Sequence, residues 1–150
     1  MPNKPGIVPV ITTLAEYQTR FWVEVGRTLR ARGQDPLFLS FDSRSNEMLA
    51  AAGLGFVDAT ASAASGLVGD RDPRDVCARF AVDPLNFWLT HEKYAFGVTD
   101  SAVLTRKLAG ALLAAETALD QAAARGRPAM VQELGGFLSV IGSHFAARSR

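Results

Sequence analysis

The sequence predicts an α/β domain in three layers, with a mainly parallel sheet between helices. Three observations carry that expectation. Short, near-continuous apolar runs rich in β-branched residues recur along the chain, as strands buried on both faces require. Amphipathic stretches at helical spacing separate these runs. Through Ala59 the order is strand, helix, strand, helix, strand, the unit from which right-handed crossovers build a parallel sheet.

The first strand is "GIVPVITTL", Gly6 to Leu14, where Pro9 removes one ladder donor. "AEYQTRFWVEVGRTLRARG" follows as a helix. Phe21, Trp22, Val25 and Leu29 mark its expected apolar stripe, arginines load its last turns, and Gly33 stops it. "DPLFLSFD", Asp35 to Asp42, is the second strand, and Ser43 to Gly53 a short helix. Gly55 to Ala59 is a third, weaker strand. From Ala61 to Val98 the periodicity breaks down into small, polar and turn-forming residues, read as an irregular insertion holding short helices. "DSAVLTRKLAGALLAAETALDQAAARG" is the clearest helix, capped by Asp100 or Ser101 and ended by Gly126. Its stripe is Val103, Leu104, Leu108, Ala111, Leu112, Ala115 and Leu119. "RPAMVQEL" is a fourth strand, and a helix from Gly135 onward carries Phe137, Val140, Ile141 and Phe145 on one side. The spacing contains no internal repeat.

Length and composition fit one globular domain. The chain has 150 residues, 48% hydrophobic and 21% charged, with a formal net charge of +1. That balance implies no broad attraction to nucleic acid. The single cysteine excludes an internal disulfide and a thiolate metal cluster. The N-terminus does not read as a signal peptide, and no run approaches the length of a membrane span, so a cytoplasmic location is expected.

Candidate functional residues follow from topology. In an open parallel sheet, ligands bind outside the carboxyl ends of the strands, where the strand order reverses. With order 3-2-1-4, the reversal lies between strands one and four. The segments there are "TTLAEYQ", with Thr12, Thr13, Glu16 and Tyr17, and "ELGG", with Glu133, Gly135 and Gly136. Glu133 would face the crevice, and the two glycines would let a ligand approach the backbone. The plainer reading makes the glycines turn residues and Glu133 a helix cap. His91 and Glu92, in "THEKY", lie in the irregular segment, where a neutral-pH proton carrier is well placed; a polar surface turn is the alternative. His144 and Ser143 fall within a predicted helix, so neither reads as catalytic. Asp42 reads as a helix cap, because the G-x-G-x-x-G of a dinucleotide site is missing after strand one. The two histidines are far apart in sequence and lack clustered acids, so no metal site is expected. No cofactor is expected either.

Read together, "VPVITTLAEYQTRFWVEVGRTLRARGQDPLFLSFDSRSNEMLAAAG" and "VQELGGFLSVIGSHFAARSR" resemble the N-terminal Rossmann-like part of bacterial capsule polysaccharide biosynthesis proteins. More broadly, they resemble that of GT-B glycosyltransferases. The resemblance implies an acceptor-binding half, truncated and inactive without a C-terminal domain that binds the nucleotide sugar. The implied partners are a carbohydrate acceptor, including membrane-linked glycan met peripherally, and no nucleic acid. Glu133, Gly135 and Gly136 fall at a cleft-facing loop of the family, and Thr12, Thr13, Glu16 and Tyr17 at the loop after strand one. On this reading Glu133 or His91 would be the base that activates an acceptor hydroxyl, and Glu92, beside His91, is counted with the substrate-binding residues. The family often has glycine in the first loop, and this chain does not. Two rival readings remain open: a non-catalytic binding or assembly module with an exposed apolar patch at Phe87 and Trp88, and a flavodoxin-like cofactor carrier.

Overall fold

The structure is a computed structural model, and it describes residues 6–87 and 99–131. These residues form two compact units. Those up to Thr60 and from Ala114 onward make the first, and Ala61–Leu113 the second.

The first unit holds the sheet. Strands β1 (Ile7–Thr13), β2 (Leu37–Ser40), β3 (Gly55–Asp58) and β4 (Arg127–Val131) lie in the order β3-β2-β1-β4, all parallel. This is the α/β class and the strand order that the sequence predicts. The chain winds outward from β1 to β3, then returns to the other side of β1. Helices α1 (Glu16–Ala31) and α2 (Ser43–Ala51) form the two crossovers.

β1 is buried on both faces, as its apolar run requires. Val8, Val10 and Thr12 point one way and Ile11 and Thr13 the other, and all are buried. On the second face Ile11 joins Val23, Phe38, Leu49 and Leu54 in one cluster.

Pro9 does no harm in this central strand, for a geometric reason. The Arg127 N–H donates to the Gly6 carbonyl at 2.9 Å, and the Phe41 N–H to the Thr13 carbonyl at 3.0 Å. Backbone groups alternate sides along a strand, so even-numbered residues of β1 face β4 and odd-numbered ones face β2. Pro9 faces β2, whose pairing begins only at Val10 with Leu37. Its missing donor falls where no paired residue stands opposite. By the same alternation Arg127 faces β1, so Pro128 turns its nitrogen away from the ladder.

The buried face of α1 differs from the expected stripe. Thr19, Val23 and Gly26 are buried, while Phe21 is 61% exposed and Trp22 is only half-buried. The helix is rotated by roughly 100° from the aromatic stripe. Gly26 explains why: a Cβ there would lie 2.9 Å from Leu54 Cδ1 and 3.2 Å from Phe38 Cζ. The helix approaches the core through its smallest residue, and that carries the aromatic side outward.

The second unit holds α3 (Ala61–Val68), α4 (Pro73–Arg79), α5 (Pro84–Phe87) and the start of α6 (Ser101–Ala123). Short helices were expected here. Gly110 of α6 lets it pack directly on α3, since a Cβ would lie 2.6 Å from the Ala64 carbonyl oxygen. Arg106 reaches from α6 to the end of α3, binding Ser65 Oγ at 2.8 Å and the Gly69 carbonyl at 3.0 Å. Asp100 caps α6 through the Ala102 and Val103 amides, as expected. Leu104, Leu108, Ala111, Leu112 and Ala115 are buried on its stripe, whereas Val103 is exposed. Among the described residues no helix is long and apolar enough to cross a membrane.

Candidate functional site

The reversal of strand order falls between β1 and β4, and the ends of these strands are tied together. The Thr12 hydroxyl donates to the Val131 carbonyl at 3.4 Å. Ile11 is in register with Val131, so the contact crosses from the end of one strand to the end of the other.

Thr13 points the other way, into a chain of buried hydroxyls. Its Oγ1 lies 2.6 Å from Thr19 Oγ1, which lies 2.7 Å from Ser45 Oγ, which donates to Asp42 Oδ2 at 3.0 Å. Thr13, Thr19 and Ser45 are all fully buried. Asp42 also accepts from the Ser45 amide at 2.9 Å and so caps α2, the role expected of it. The chain ties the end of β1 to α1 and the start of α2. A buried hydroxyl without a partner costs about 1–3 kcal/mol, so each member depends on the others. Sequence reasoning missed Thr19 and Ser45. Their signal was a polar residue at a core position of each helix, legible only once the buried face is known.

α1 begins without a side-chain cap. Ala15 is its N-cap, in extended conformation, and the Leu14 amide is met instead by Gln18 Oε1 at 3.0 Å. Glu16, in the first turn, is bound by Arg20 at 2.6 Å and Arg44 at 3.4 Å. The hydrogen bond from Arg20, and then that from Arg44, hold its carboxyl below the usual carboxylate range. Glu16 is therefore a poor proton acceptor near neutral pH. Tyr17 is 74% exposed. At 100° per residue it stands on the side of α1 opposite Thr19, Val23 and Gly26, away from the sheet.

The structure thus brings Thr12 and Thr13 together with their neighbouring elements and turns both hydroxyls inward. Glu16 stays at the mouth of α1, held by two arginines, and Tyr17 does not join them. At the end of β3, burial pushes Asp58 up, but hydrogen bonds from Thr60 and Asn46 outweigh it and leave the carboxyl below its ordinary value. Glu133, Gly135, Gly136, His91, Glu92, Trp88, Ser143 and His144 lie outside the described residues, as does the helix expected from Gly135 onward.

Hollows also lie elsewhere among the described residues. One of about 420 Å³ is lined by Asp72, Pro73, Arg74, Ser101, Ala102 and Thr105, at the starts of α4 and α6. Another, of about 370 Å³, lies between α1 and α2, with Val23, Met48 and Ala52 flanked by Arg20 and Arg27. Among the described residues no group of three or more histidines, cysteines and acids could hold a metal ion. Comparison of the chain with protein-family models, curated proteins and solved structures gave no match.

Proposed function

We propose that this chain is the acceptor-binding, Rossmann-like part of a GT-B-type glycosyltransferase acting in capsular or surface polysaccharide biosynthesis. It would act with a domain that holds the nucleotide sugar. The observation that carries the reading is the parallel order β3-β2-β1-β4, which puts the reversal between β1 and β4. Ligands of open α/β sheets bind outside the strand ends at such a point. The sequence puts Glu133 two residues after Val131, the last residue of β4. With Glu16 held at low pKa between Arg20 and Arg44, Glu133 is the better base for an acceptor hydroxyl, and His91 the next.

The test is the Glu133→Gln variant of the complete enzyme, assayed with donor and oligosaccharide acceptor. Glutamine keeps the volume and removes the proton-accepting charge. Turnover should fall roughly 10²–10⁴-fold with the unfolding midpoint unchanged. Unchanged turnover with a lowered midpoint would make Glu133 a helix cap and overturn its catalytic role.

A second reading, a non-catalytic assembly module, is favoured by one observation. Tyr17 and Phe21 stand exposed one turn apart on the outer face of α1. Titrating the chain with capsular oligosaccharides separates the two readings. Chemical-shift changes at Thr12, Leu14 and Val131 support acceptor binding, and their absence supports the module.

A further inference from the structure

The flank of α1 that borders its outer face carries charge in alternation: Glu16, Arg20, Glu24, Arg27. Arg20 and Glu24 are 71% and 69% exposed, and Tyr17 and Phe21 lie beside them, also exposed. Within one copy, Arg20 binds Glu16 and Arg27 binds Glu24, each at 2.6 Å. Alternation of this kind has a further property when the helix is reversed. Laid antiparallel on itself with a two-fold axis level with Trp22, α1 brings Arg20 level with Glu24 of the second copy. Arg27 then comes level with Tyr17 of the second copy and one residue from Glu16. The two Phe21 rings fall within about 3 Å of each other along the helix axis, on the same side of the contact. Arg20 and Glu24 each meet their opposite charge, and the exposed aromatics meet each other or an arginine.

We propose that this face is a self-association surface and that its occupant is α1 of a second copy of the chain. The interface is isologous, as a two-fold contact must be. The proposal goes beyond the acceptor reading and does not rest on it, because Tyr17 and Phe21 stand on the side of α1 away from the sheet. One helix against one helix falls short of a standard interface, so the dimer should be weak, with a dissociation constant on the order of 10–100 μM.

The experiment is sedimentation equilibrium on the wild-type chain and on two charge reversals, Arg20→Glu and Glu24→Arg. Each reversal sets like charges level across the axis and should raise the dissociation constant at least about tenfold. Both side chains are exposed, so circular dichroism and the unfolding midpoint should stay near wild type. Mixing the two variants restores opposite charges across the axis and should recover a heterodimer of near wild-type strength. A wild-type chain that stays monomeric to about 0.5 mM, well above the expected dissociation constant, overturns the proposal. So does a dimer that neither reversal weakens, or a mixture that fails to associate.

Discussion

Ser45 shows how much of this fold depends on single buried atoms. Its fully buried hydroxyl stands between Thr19 and Asp42. Ser45→Ala removes one group and leaves Thr19 and the Asp42 carboxylate each short of a contact. The cost should be about 1–3 kcal/mol, read as a lower urea midpoint at unchanged slope. Thr19→Val should cost a similar amount, and the double variant less than the sum, because both act on one chain. A strictly additive double variant would show the hydroxyls to be independent. Trp22 marks the opposite case. Its indole N–H is buried without a hydrogen-bond partner among the described residues, at a local cost. These partnerships were hard to read in advance for a plain reason. Thr12 reaches Val131, which lies 119 residues away, and Thr13 reaches Ser45 only through Thr19. Local pattern reports which residues are apolar, and it does not report which polar residues will meet.

Among elements, the strands were the most legible. β1 and β2 announced themselves because a strand covered on both faces has no polar alternation to confuse the reading. α1 was legible as a helix but not in its rotation. Large aromatics drew the expected stripe toward Phe21, whereas the closest approach was set by Gly26, which contributes nothing to a hydrophobic pattern. Glycine plays two different packing roles in the helices. At Gly110 a methyl group would meet the Ala64 backbone, which has no room to yield. Gly110→Ala should therefore destabilise the protein by about 1–3 kcal/mol despite the better helix propensity of alanine. At Gly26 the methyl would meet the ends of the Leu54 and Phe38 side chains. Rearrangement there is offset by the propensity gain of about 1 kcal/mol, so Gly26→Ala should stay within about 1 kcal/mol of wild type. Thermal unfolding of both variants checks the contrast, and equal losses would contradict it.

For the molecule as a whole, pH reads the polar contacts collectively. Asp72, bound by the Arg74 amide and side chain, sits below its ordinary pKa, as does Asp58. Carboxyls lowered by folding add stability above their unfolded pKa and lose it as pH falls through the folded value. Cys77 behaves in the opposite sense. Burial pushes its thiol from 9.0 up to about 11. Its contribution is complete below pH 9.0 and lost as pH rises toward about 11. The urea midpoint should thus be flat near neutrality, fall below the usual carboxylate range, and fall again on the alkaline side. Cys77→Ala should blunt only the alkaline decline, and a native thiol that reacts readily with iodoacetamide at pH 8 would contradict the burial argument. The hydroxyl chain at the end of β1 has one more consequence, which concerns protons. Ser45 donates to the Asp42 carboxylate and accepts from Thr19; Thr19 shares its single proton between Ser45 and the Ala15 carbonyl at 3.0 Å, so from Thr13 it can only accept. The Thr13 and Ser45 O–H dipoles are thereby fixed in one sense, from the sheet toward α2, with the Thr19 proton between the Ser45 and Ala15 oxygens. Shielded from solvent, those hydroxyl protons should exchange slowly enough to appear as separate proton resonances. They would make a spectroscopic marker of the closed β1–α1–α2 corner that an amide spectrum lacks.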